Sequence, residues 1–188
     1  MVSEKLKTHT KQPHQELETL IIQKITQFDT EVSYVDFLKT FYGYIAAIEQ
    51  KLSPVVENKG IIEDYPERRK ARYLLEDITA LAPASHFPSL ASDIPEIQSA
   101  DQALGVMYVL EGSTLGGKHI SHMISARLKF ESDKGLSYFN GYKENTYIMW
   151  DRFKDTLNTH TDNESAEIAV IEAANQTFIK FKNWINEH

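Results

Sequence analysis

The chain has 188 residues, 41% hydrophobic and 25% charged, which suits a single domain (residues 1–188) with a real core and leaves little room for two. Its formal net charge of −7 argues against a nucleic-acid partner, which calls for a broad basic face. It contains no cysteine, which excludes disulfides, iron–sulfur clusters, zinc knuckles, thiolate nucleophiles and thioether-attached groups. The first residues are polar, and no apolar run approaches the roughly 18 residues that a membrane span needs. A cytoplasmic protein with no membrane contact is therefore expected. The aromatic share, 11%, suits either a cavity walled by rings or an ordinary core.

Helical periodicity runs through the chain, and no alternating stretch with hairpin turns interrupts it. The expected fold is all-α. A first helix spans roughly Lys5 to Gln27, with Leu17, Leu20, Ile21 and Ile25 as one apolar stripe. A second runs from about Val32 past Leu52, where Ser53-Pro54 is expected to kink or end it. A third begins at Pro66 and carries Tyr73, Leu74, Ile78 and Leu81. Three prolines and several serines make Ala82 to Pro95 a loop. A long fourth helix covers Ser99 to Phe130. Gly135 to Gly141 is a connector, Asn145 to about Asn158 a fifth helix, and Glu164 to Glu187 a sixth.

The fourth helix carries Gly112, Gly116 and Gly117 inside an otherwise strong helical stretch. Each gives up about 1 kcal/mol relative to alanine, a large sum against the roughly 5–15 kcal/mol that stabilises a domain. Spacings of three and four put these glycines and Ser113 on one bared face. Two things exploit such a face: a closely crossing helix or a flat ligand.

The first helix carries Lys7, Lys11, His14 and Glu18 at spacings of four, three and four. If that helix is continuous, all four share one face. A neutral imidazole there can ligate iron, a carboxylate one turn on can hold its other nitrogen, and the lysines can meet anionic groups. The alternative is a solvated charged face. Pro13 either kinks the helix or sits in the first turn of one that restarts near Thr10, and in the second case Lys7 leaves the stripe. His119 and His122, three apart, have metal-pair spacing without evident carboxylate partners.

Taken together, Leu6-Lys7-x-x-Thr10-x-x-x-His14-x-x-x-Glu18 and Gly112-Ser-Thr-Leu-Gly116-Gly117 resemble the proximal and distal helices of the heme oxygenases. Further segments add to the likeness: Phe41-Tyr42-Gly43-Tyr44 through Glu49, Arg69-Lys70 through Asp77, Gly141-Tyr142 through Phe153, and Thr177-Phe178 through Trp184. Together they resemble the bacterial subgroup found alongside bacteriophytochromes.

The resemblance implies a heme-oxygenase-like helical bundle holding heme b between the first helix and the glycine-rich helix. His14 would be the proximal iron ligand and Glu18 its partner. Gly112, Ser113, Gly116 and Gly117 would cover the distal heme face. Lys7, Lys11 and Lys154 would meet the propionates, with Tyr42 and Phe178 lining the pocket. It implies cleavage of heme to biliverdin, CO and Fe2+ with O2 and external electrons. The donor would be a ferredoxin or a flavin reductase, since no dinucleotide motif is visible. A phytochrome pathway is the implied acceptor of biliverdin. Many members carry aspartate where this chain has Ser113, and an arginine in animal enzymes is replaced near Val109. A heme-binding or sensing protein without turnover is therefore the alternative on the same fold; thiamin-salvage and di-iron enzymes share that fold but fit these residues less well. The Arg68, Arg69, Lys70 and Arg72 cluster is expected to be either a docking patch for an acidic donor or a solvated basic turn.

Overall fold

The computed structural model describes residues 1–84, 86, 89–130 and 133–188, so positions 85, 87 and 88 of the expected 82–95 loop lie outside the described residues. Among the described residues every regular element is helical: α1 (Val2–His9), α2 (Lys11–Thr26), α3 (Glu31–Lys59), α4 (Arg72–Leu81), α5 (Ala100–Leu128), α6 (Ser137–Asn140), α7 (Thr146–His160) and α8 (Glu164–Glu187). No helix among them is long and apolar enough to cross a membrane.

Both long helices start where their caps dictate. Thr30 accepts from the Ser33 amide at 3.2 Å before α3, and Ser99 accepts from the Gln102 amide at 3.1 Å before α5. Each is a reciprocal capping box that satisfies amides the helix itself leaves free. Gly60, with φ of 58°, ends α3 in the left-handed conformation that a side chain disfavours.

Three expectations about elements are corrected. Pro54 does not end the second helix: α3 runs through it to Lys59, pinned by buried Leu52 and Val56 on either side. The third helix does not begin at Pro66. Tyr65–Glu67 forms an isolated 3-10 turn, and α4 starts at Arg72, because the amides of Arg69 and Ala71 are taken by Tyr142 Oη at 2.7 Å and Glu49 Oε2 at 2.8 Å. Backbone donors satisfied by side chains have no need of a helix. The first helix is two, broken at Thr10.

α5 is the central rod, packed most extensively on α8 and also on α2, α3, α6 and α7. Gly105 makes the α5–α8 approach possible, since a methyl group there would collide with the Val170 carbonyl and Ala173. Most of the aromatic share goes into the core. Phe28, Phe37, Phe41, Phe139 and Phe181 form a chain of ring contacts. Tyr44 stacks on Phe181 at 4.4 Å and donates to the Thr177 carbonyl at 2.9 Å.

Candidate functional site

Thr10, with φ of −102° and ψ of 3°, interrupts the helix, and its hydroxyl donates back to the Leu6 carbonyl at 2.8 Å. Pro13 then falls in the first turn of α2, where a missing amide leaves no bond unmade. The His14 amide closes that turn on the Thr10 carbonyl at 3.0 Å. His14 is exposed, with its ring 5.3 Å from the buried Phe178 ring of α8. Lys7 lies across the break on α1, so the single four-residue stripe reduces to Lys11, His14 and Glu18. Lys7, Lys11 and Glu18 are exposed, and among the described residues no hydrogen bond joins Glu18 to the imidazole.

The junction of this segment with the glycine-bearing helix is the packing of α2 on α5, with Thr10 beside Tyr108. Burial pushes the Tyr108 phenol up, and the nearby Thr10 hydroxyl partly offsets it. His14 lies one turn from this junction along α2, and Gly112 one turn along α5, each about 6 Å away. Tyr108, Gly112 and Gly116 repeat every four residues and so line one face. Trp150 of α7 contacts Tyr108, at 5.5 Å between ring centroids, and lies beside Gly112.

The three glycines separate here. A methyl group on Gly112 would meet Trp150 only at ordinary contact distance, 3.6 Å, and one on Gly116 would meet nothing within 4 Å. On Gly117 it would collide with the Phe139 carbonyl. Gly117 thus serves the close-packing alternative, whereas the protein's own packing demands neither Gly112 nor Gly116. Gly116 bares a face that no described residue reaches within 4 Å, and Trp150 stands beside Gly112.

Beside that face lies an ionic network that the sequence reading missed. Glu111, 3% exposed, accepts from Arg68 Nη1 at 2.9 Å and from Tyr142 Oη at 3.0 Å. Arg68, 2% exposed, also grips both Asp64 oxygens at 2.8 and 2.9 Å and the Met149 carbonyl at 2.8 Å. Burial raises the Glu111 carboxyl above its usual range, opposed by the adjacent Arg68 charge. Arg69 Nη2 donates to the Leu110 carbonyl at 2.7 Å and to Ser113 Oγ at 2.5 Å, while the Ser113 hydroxyl donates to Leu110 O at 2.7 Å. Of the basic cluster, Arg68 is buried, Arg69 is engaged and Lys70 sits 3.0 Å over the Tyr65 ring, while Arg72 is exposed. One signal was available. A glutamate inside the apolar run from Val106 to Leu115 demands a partner, and Arg68 and Arg69 were unassigned cations.

Lys154 of α7 pairs with Asp151 at 2.9 Å, with its amine 5.9 Å from the Trp150 ring beside Gly112. Tyr42 is half-buried on α3 and packs against the core; among the described residues no bond or ring contact ties it to His14. The structure thus brings His14 together with Phe178, and Gly112 with Trp150 and Lys154. Lys7, Lys11, Glu18 and Tyr42 are not joined to either group. Thr10, Tyr108 and Trp150 hold the arrangement, and the sequence reading had given none of them a role.

The fold and site define a class of all-helical proteins in which a histidine-bearing helix packs on a glycine-bearing one. The chain belongs to the heme oxygenase family, whose family model matches residues 1–187. A curated heme oxygenase of Xanthomonas campestris pv. campestris (strain 8004) is 28% identical over 149 residues, covering 79% of this chain and 86% of that protein. The fold is similar to that of the NO- and CO-bound heme oxygenase from Neisseria meningitidis, with a TM-score of 0.82, 21% identity, and coverage of 100% of this chain and 91% of the other. It is also similar to heme oxygenase from Leptospira interrogans, with a TM-score of 0.80, 16% identity, and coverage of 100% and 99%. Family membership makes heme the ligand and its degradation the general activity.

Proposed function

We propose that the chain binds heme b between α2 and α5, with His14 as the axial iron ligand, and opens the ring with O2 to give biliverdin, CO and Fe2+. The observation that carries this reading is Gly116, a helical glycine whose open side meets no protein atom within 4 Å, on the helix against which the His14-bearing α2 packs. A helix gives up about 1 kcal/mol at such a position, and a flat ligand lying on the backbone accounts for it.

The donor set suits the substrate. An exposed imidazole can ligate iron, Phe178 backs its ring, and Lys7, Lys11 and Lys154 are cations for the propionates. Heme is itself the substrate, and its iron supplies the oxygen chemistry. The chain's part is to orient the ring, keep the distal side narrow and hold Ser113 in place. Gly112 and Gly116 admit the ring so closely that a small ligand on the distal side is steered along its plane.

Electrons come from a separate donor of the ferredoxin or flavin reductase type, in the cytoplasm, and a phytochrome of the bacterial kind is the proposed acceptor of the product. Anaerobically reconstituted hemin complex, given O2 and a reductase system, is expected to lose its heme absorbance while the biliverdin band grows and a ferrous chelator captures iron. A stable oxygen complex with neither product would replace this reading with that of a heme-binding protein without turnover.

A further inference from the structure

We propose that Arg69 and Ser113 form a cationic recognition pair on the distal face, so that the site favours anionic ligands over neutral ones there. This rests on the heme reading of the site and adds the charge that the site presents to whatever the iron binds.

Ser113 cannot perform this alone, because its hydroxyl proton is already given to the Leu110 carbonyl at 2.7 Å. The guanidinium beside it has capacity to spare. Of five N–H donors on an arginine side chain, three are engaged, by the Tyr138 carbonyl at 3.5 Å, the Leu110 carbonyl and Ser113 Oγ, which leaves two. Arg69 is also held in place. Its amide donates to Tyr142 Oη, and its guanidinium lies 4.2 Å from the Tyr138 ring centroid. Among the described residues no carboxylate makes an ion pair with Arg69, while the nearby Glu111 is paired with Arg68. A fixed cation that needs no reorganisation is a strong form of recognition for negative charge. Heme oxygenases with aspartate after the first distal glycine present the opposite sign at this position.

The test is equilibrium binding. Ferric hemin complexes of the wild-type chain, Arg69→Met, Arg69→Lys and Ser113→Asp are titrated with azide, and the ferrous complexes with carbon monoxide as the uncharged control. Circular dichroism follows the fold. Arg69→Met and Ser113→Asp are expected to weaken azide about tenfold, the scale of one hydrogen bond to a charged group. Carbon monoxide affinity stays within about twofold on the same scale, and Arg69→Lys recovers part of the azide affinity. If Arg69→Met fails to fold, Ser113→Asp decides the matter, since it neutralises Arg69 without removing it. Azide affinity indifferent to these changes, or azide and carbon monoxide falling together, overturns the proposal while leaving heme binding intact. A wild-type chain that binds no hemin overturns the reading of the site and this proposal with it.

Discussion

Gly116 and Gly117 are neighbours in sequence with opposite physical roles. An alanine methyl at 117 meets the Phe139 carbonyl, while one at 116 meets open space. Gly116→Ala is therefore expected to stabilise the unliganded chain by up to about 1 kcal/mol, the helical difference between the two residues. Hemin affinity should fall roughly tenfold, because the added methyl overpacks the ligand face. Gly117→Ala should lose about 1–3 kcal/mol, since the backbone carbonyl has to move. Urea midpoints and hemin titrations check both; a loss of stability in unliganded Gly116→Ala would mean that this face is packed by protein. Spacing put all three glycines on one side of a helix, but the structure parts Gly117 from Gly116. Which of them faced a carbonyl and which faced nothing was not legible, because Phe139 reaches Gly117 through a connector with no periodic pattern to read.

At the scale of elements, the strong signals were periodicity and caps, and the failures came where distant side chains captured backbone amides. α5 begins beside Ser99 and α8 spans Glu164 to Glu187, close to where their caps and apolar stripes put them. The stretch from Arg68 to Ala71 stayed out of α4 because Tyr142 and Glu49 take its amides, partners that lie 73 and 22 residues away in sequence. Pro54 shows the converse. Its local preference was outweighed by the burial of Leu52 and Val56, leaving an exposed proline in the body of α3. Pro54→Ala is accordingly expected to restore a helical hydrogen bond and stabilise the chain by about 1–3 kcal/mol, read as a higher urea midpoint with an unchanged slope. The break at Thr10 was one of two outcomes that Pro13 left open. It puts Lys7 on a separate helix from His14.

For the molecule as a whole, stability is tied to tyrosines sealed in the core. Burial pushes the Tyr34, Tyr44 and Tyr142 phenols well above their ordinary range and Tyr65 up to about 12. The unfolded chain releases these protons near pH 10, so between there and about 12 the unfolded state binds fewer protons than the native state, and stability falls as pH rises. The buried phenols are expected to ionise only as helical circular dichroism is lost. Tyrosinate absorbance tracking a single native titration, with the helical signal intact, would contradict this. The fold class was legible because every segment is helical and two motifs match a known pattern in order. The network of Arg68, Glu111, Tyr142, Arg69 and Ser113 was not, since its ion pair joins residues 43 apart and its members come from two connectors and α5.

The central claim is that heme lies between His14 and the open glycine face, and axial ligation tests it most directly. Electron paramagnetic resonance of the ferric hemin complex is expected to show nitrogen ligation in the wild-type chain, lost in His14→Ala and restored by added imidazole. Identical ligation and hemin affinity in the two proteins would place the iron on another residue and contradict the account.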